Sequence, residues 1–362
     1  MRKLHIFLDC DPGSDDFFLL AMLLILFKNN KSRINIIGLS ASYGNSSVNH
    51  TLANLTSLVS ILGMASYEIS IYKGAEAPLI PNEQFYTPLS IHGGNGLADV
   101  QEIDKPNLSL SKGKITAKEL LRLFEGIKEK EETKDDKIIF MSTGPFTLIA
   151  ELIMDRPKIK TLIDKFIVMG GTFENEGGNC NSLMTAEFNI FSDPNAANTV
   201  FTDPIMKKKS IIFPLNITHK AILDKNQILR FSESSRKDKQ ITAVKKAFLK
   251  LIHKFTELYS SSEDNIQHKF DSGPPMHDVL TIMPIIDYLL ESNNANNTEW
   301  SFKEIDFMVE IEGERIGETH IFNSDLKLKS LNDSKYQATS YLLDYKQTYW
   351  VLLLGILLEK IL

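Results

Sequence analysis

Two hydrophobic periods alternate along the chain. Short, almost wholly apolar runs at residues 4–8, 34–40, 69–72, 137–142, 165–169 and 210–214 have the length and composition of buried strands. Between them lie stretches with apolar residues at helical spacing, at 17–27, 48–62, 116–127 and 243–259. Residues 307–311 and the segment around His320 read as a late hairpin. The alternation predicts an α/β fold: an open, mainly parallel sheet with helices on both faces, as one domain over residues 1–362. Polar residues gather where the apolar runs end: after Leu8, at Gly44-Asn45, at Thr143-Gly144-Pro145 and at Gly170-Gly171. In a parallel sheet these ends share one edge, so distant segments converge on one crevice.

The first of these ends is the most demanding chemically. Asp9, Asp11, Asp15 and Asp16 fall within eight residues, bent around Pro12-Gly13. At about 5 Å and an effective dielectric of about 20, each like-charged pair costs roughly 3 kcal/mol. A loop pinned by proline and glycine cannot spread its side chains, so it needs a proton, a helix N-terminus or a cation. All-oxygen ligands select calcium or magnesium. The plainer alternative is a capped helix with acidic decoration. An EF-hand does not fit, because Pro12 and Gly13 take the wrong loop positions and Leu20 replaces the closing Glu.

Composition narrows the class. The chain has 362 residues, 43% of them hydrophobic and 24% charged, as in a globular protein with a substantial core. A net charge of −6 without a basic stripe argues against a nucleic-acid partner. Two cysteines, Cys10 and Cys180, make no disulfide framework, which points to a reducing, cytoplasmic setting. The N-terminus is too short and too soon acidic for a signal peptide. The terminal run YWVLLLGILLEKIL is too short to span a bilayer and is expected to form a last helix packed on the core or on a partner subunit. The charge runs at 128–137 and 207–209 are expected to be solvated. Sequons at Asn45, Asn54 and Asn216 read as chance matches.

The ordered motifs resemble the calcium-dependent nucleoside hydrolases of the inosine–uridine-preferring family. That family's strand followed by D-x-D-P-G-x-D-D stands here as Asp9-Cys10-Asp11-Pro12-Gly13-Ser14-Asp15-Asp16. Gly44-Asn45, His92-Gly93, Thr143-Gly144-Pro145, Met169-Gly170-Gly171, Glu187-Phe188-Asn189 with Asp193-Pro194, and His277-Asp278 follow in the family's order. The stretch GNCNSLMTAEFN is especially similar to the fungal uridine ribohydrolase branch.

The resemblance implies a Ca2+ site made by the Asp11, Asp16 and Asp278 carboxylates and the Thr143 carbonyl, with Asp9 behind them. Asp15, Asn45, Met169, Glu187 and Asn189 would form the ribose cradle. One further asparagine belongs there; the spacing favours Asn181 and the preceding glycine favours Asn179. His277 would serve the leaving base, with His92 beside it and Phe188 and Tyr259 walling the base. The implied reaction is hydrolysis of a ribonucleoside, uridine first, to free base and ribose through an oxocarbenium-like state. Calcium would bind a water and the 2′- and 3′-hydroxyls, and Asp11 would be the general base. A homodimer or homotetramer, with no membrane partner, completes the expectation.

Three departures touch packing more than chemistry: Phe17 where the family has a small residue, no proline before Glu187, and Val279 after Asp278. Two other readings compete. A haloacid-dehalogenase-type magnesium phosphatase also opens on D-x-D, but Pro12 and the Asp15-Asp16 pair fit it poorly. A nucleoside-binding protein without turnover is opposed by the intact Asp11, Asp16, Asp278 and His277.

Overall fold

Seven short strands run parallel and carry the fold: β1 (Leu4–Cys10), β2 (Ile34–Ala41), β3 (Ile71–Lys73), β4 (Ser111–Lys114), β5 (Lys137–Ser142), β6 (Lys165–Met169) and β7 (Ser210–Phe213). A computed structural model describes residues 2–67, 69–81, 87–103, 105–173, 177–233, 239–261, 273–290, 300–323 and 339–345. Three late strands, β8 (Trp300–Val309), β9 (Thr319–Asn323) and β10 (Thr339–Tyr345), extend the sheet. Among the described residues the order is β4-β3-β2-β1-β5-β6-β7-β10-β8-β9. β10 joins β7 in parallel, and β8 pairs antiparallel with both β10 and β9. The predicted hairpin is therefore present. The edge strand β4, SKGK, escaped the reading because it is polar and largely exposed. The apolar C-terminal run and the Asn-rich stretch at 293–297 lie outside the described residues.

All seven residues of β1 are buried, as a central parallel strand covered on both faces requires. On one face Leu4, Ile6 and Leu8 pack under the helices Ser14–Asn29 and Lys239–Ser261. On the other, Phe7 meets Phe140 and Tyr72, and Phe140 meets Phe166, so aromatic rings run across the sheet under the helices Ala117–Lys128, Thr147–Asp155 and Pro194–Thr202. Phe7 and Tyr72 stand on strands separated by β2, and Gly38 of β2 lets their rings meet. A Cβ there would lie 2.5 Å from the Phe7 ring. The helix Ser14–Asn29 is buried through Phe27, and Phe17 and Phe18 both contact Phe248 with ring centroids 5.2 Å apart. The bulk of Phe17 is thus taken up by a ring on the helix opposite.

The charge runs correct one expectation. Lys128 and Lys137 both bind Asp164, at 2.7 and 3.0 Å, and Asp136 accepts from Lys3 N and pairs with His5. Lys207 pairs with Asp306, while Lys209 Nζ donates to the carbonyls of Lys160 and Thr161. These five charges tie element ends together, while residues 129–132, Lys134, Asp135 and Lys208 face water as expected.

Chain order fixes where a ligand sits. From β1 the chain builds outward through β2, β3 and β4, then crosses back to β5 on the other side of β1. The crevice at the carboxyl ends of β1 and β5 is the point where such sheets bind ligands.

Candidate active site

Asp11 follows β1 and Thr143 follows β5, so these two residues flank the switch point. Asp15 and Asp16 occupy the first turn of the helix Ser14–Asn29, where the helix dipole favours negative charge. Asp278 arrives from the 3-10 turn Asp278–Ile282, which packs on that helix. The carboxylates of Asp15, Asp16 and Asp278 each place an oxygen within 4.8 Å of the other two, and all three side chains are buried. Such a trio of hard oxygen donors fits a divalent cation of the calcium or magnesium type.

Asp11 stands against this trio in a cradle of backbone. Its Oδ2 accepts the Asn45 N–H at 2.8 Å, and a Cβ at Gly44 or Gly144 would overlap its carboxylate. Its Oδ1 is fully buried and has no hydrogen-bond partner among the described residues. A buried, unpartnered carboxylate oxygen beside three carboxylates is what a cation or a substrate proton would satisfy. Asp16 is held by Gly13 N at 3.0 Å, by Thr143 Oγ1 at 2.8 Å and by Asn45 Nδ2 at 3.2 Å. Asp9 lies behind, taking hydroxyl hydrogen bonds from Ser40 at 2.6 Å and Ser42 at 2.9 Å.

Burial dominates the electrostatics. It pushes Asp11 and Asp278 well above the usual carboxylate range, with repulsion from neighbouring carboxylates adding to it. Asp15 is raised to about 7 by burial and then by Asp16. Asp16 is raised less freely, because its hydrogen bonds favour the ionised form. Asp9 is also raised to about 7 by burial, against the pull of its two serines.

A cleft opens over these groups. Asp15, Asn45, Thr143, Met169, Glu187, Asn189 and Asp278 line it, together with His92, Phe188, Tyr259 and His277. The Glu187 carboxylate caps the helix Phe188–Ser192, accepting from Asn189 N at 2.8 Å and Ile190 N at 3.1 Å, and it also accepts from Gly171 N at 2.9 Å. Asn189 Nδ2 donates to the carbonyls of Thr143 and Met169, at 2.9 and 3.2 Å. The Thr143 carbonyl keeps a second lone pair for another partner.

Burial favours the neutral form of His92 and His277. Burial lowers His92 to about 3, and its Nδ1 accepts the Ser14 N–H at 3.2 Å, which leaves the proton on Nε2. Its ring stacks on Phe255 at 5.6 Å. His277 is held well below its ordinary range by burial and then by His219 and His92; its Nδ1 pairs with Thr218 Oγ1 at 2.8 Å.

Of the two asparagines left open by the sequence, Asn179 lines the cleft and Asn181 does not. Asp9 and Asp11 also stand behind the lining. The sequence reading missed Phe255, Ile91, Pro88, Cys180 and Leu215, which complete the wall. Phe255 was findable, since it lies four residues before Tyr259 on one helical face. Leu215 offers no local signal. The sequons on Asn45 and Asn54 are buried, and Asn216 bonds Phe173 N and O.

This chain belongs to the inosine–uridine-preferring nucleoside hydrolase family, whose model matches residues 6–343, and it is a hydrolase of N-glycosyl bonds. It is 35% identical over 288 residues to the uridine nucleosidase of Saccharomyces cerevisiae, covering 80% of this chain and 77% of that protein. It is 29% identical to the pyrimidine-specific ribonucleoside hydrolase RihA of Salmonella schwarzengrund, covering 77% and 78%. Its fold is similar to the purine-preferring ribonucleoside hydrolase of Gardnerella vaginalis, with a TM-score of 0.75, 21% identity and coverage of 99% and 98%. Among the described residues, no helix is long and apolar enough to cross a membrane.

Proposed function

We propose that this nucleoside hydrolase prefers uridine, depends on calcium, and uses Asp11 as its general base. The observation that carries the reading is the buried Asp11 Oδ1, unpartnered beside the convergent oxygens of Asp15, Asp16 and Asp278. Asp11, Asp16, Asp278 and the Thr143 carbonyl would hold the ion, and Asp15 would take the ribose hydroxyls. When bound, calcium supplies a fixed positive charge that orients hydroxyls and lowers the pKa of an adjacent water.

Asp11 Oδ1 accepts the proton of the attacking water as its oxygen bonds to C1′. The C1′–N bond breaks, and its electron pair leaves with the base. Asp15 and Glu187 lend negative potential to the oxocarbenium-like ribosyl ring. Asn45, Met169, Asn179 and Asn189 orient the sugar. His92, fixed as an Nε2–H donor, and neutral His277 hydrogen-bond the departing base, while Phe188, Phe255 and Tyr259 exclude water from its faces. Uridine preference is supported by the 35% identity to a uridine nucleosidase. Two cysteines in 362 residues, too few for a disulfide framework, support a cytoplasmic setting, and the family resemblance supports a homodimer or homotetramer built from one domain.

The test is release of ribose from uridine, cytidine and inosine, with calcium and after chelation, in wild type and Asp11→Ala. Calcium-dependent release, fastest from uridine and lost in Asp11→Ala, is expected. Undiminished release after chelation would overturn the calcium role, and faster release from inosine would overturn the base preference.

A further inference from the structure

The loop that brings Asn179 to the cleft is closed on itself. Gly178 N–H donates to Met184 O at 2.8 Å, and the Asn179 and Cys180 N–H groups both reach Ala186 O, at 2.9 and 3.0 Å. Asn181 organises the turn inside it. Its Oδ1 accepts the N–H groups of Leu183 and Thr185 at 3.0 and 3.1 Å, and its backbone stands at φ +60°, a region asparagine tolerates.

The Asn181 amide nitrogen faces the other way. It donates to Thr185 Oγ1 at 3.0 Å and to the carbonyl of Ile316 at 3.1 Å, on the connection between β8 and β9. Thr185 Oγ1 adds a 2.6 Å bond to Glu318 Oε2, and Ala186 pairs with Glu318 through backbone. Gly317 permits the approach, since a Cβ there would lie 2.8 Å from Phe191 Cα and 3.0 Å from Ala186 Cβ. Asn181 thus stiffens the loop by hydrogen bonds and clamps it to a distant hairpin.

We infer that Asn181 is a positioning residue that acts through Asn179: the clamp to the β8–β9 connection sets where the Asn179 side chain meets the substrate. The two asparagines divide contact from placement. The inference deepens the hydrolase reading above and borrows its reaction as a readout.

A double-mutant cycle tests it, using Asn179→Ala, Asn181→Gly and the pair, each checked for folding by circular dichroism and melting. Glycine keeps the left-handed turn unstrained while removing the clamp. Asn181→Gly is expected to lower kcat/KM for uridine about tenfold, the scale of one hydrogen bond, and to add nothing once Asn179 is alanine. Thr185→Val, which cuts the clamp from the other side, should repeat the pattern and replaces Asn181→Gly if that variant does not fold. Losses that multiply in the double variant, or wild-type kinetics in both clamp variants, would overturn the inference. If wild type released no ribose, the hydrolase reading would fall, and the same cycle in the calorimetric Kd for unhydrolysed uridine would decide the placement role. Absence of uridine binding as well would overturn both.

Discussion

The two sides of the cleft are built by different physics. The carboxylate floor is assembled by backbone: Asp11 and Thr143 stand at the ends of paired parallel strands, and their loops are locked by Asn45 N–H and the Gly44 and Gly144 approaches. The aromatic wall is assembled by side chains from separate helices. His92 leans on Phe255, Phe255 on Tyr259, and the helix bearing both is seated by Phe248 against Phe17 and Phe18. A floor set by strand register admits little change, whereas a wall set by ring packing can be repacked at modest cost.

The comparison would break first at the floor. Asp16→Ala or Asp278→Ala should lower kcat by about 10³-fold or more, because each removes a charge that acts on the reacting centre. If calcium binds as proposed, it should raise the melting temperature of wild type and of neither variant, which differential scanning calorimetry would read. A floor variant that kept both would show that the carboxylates serve the fold alone.

Seating of the wall comes next. Phe248→Ala should cost about 3–5 kcal/mol of stability in denaturant titrations, the range for emptying a buried aromatic site. Calcium affinity of the folded fraction should stay unchanged. A smaller effect sharpens the contrast: Phe255→Leu should lower kcat/KM about tenfold, unequally among uridine, cytidine and inosine, with no change in calcium dependence. An equal loss on all three would make Phe255 a general packing residue.

The smallest effect lies at the opposite edge of the sheet. His5 donates to Asp136 at 2.9 Å, yet burial outweighs that carboxylate and holds its imidazole below the ordinary value of 6.5. The unfolded chain therefore binds this proton at higher pH than the folded one. Stability from this group is complete above pH 6.5 and declines as pH falls below it. His5→Gln should flatten that part of the stability profile without altering the substrate ranking.

Much of the floor was legible because it is local. Asp9 to Asp16 lie within one strand–turn–helix unit, so their chemistry follows from spacing, and the strand pattern alone indicated that Thr143 and Gly170 share its edge. Lys209 was misread as solvated because its carbonyl partners lie more than 40 residues away in sequence. Phe255 was passed over because a phenylalanine on an amphipathic helix reads first as core, and only its stacking on His92 sets it apart.

The sequence by itself therefore determined the alternating α/β order, the acidic turn after β1 and the family, all of which are written in contiguous residues. Tertiary structure decided which oxygens converge, since Asp278 reaches Asp15 and Asp16 from the other end of the chain. It also put Asn179, and not Asn181, in the lining of the cleft. Their directions depend on a left-handed turn and on a hairpin 135 residues further along, and no local spacing encodes such a contact.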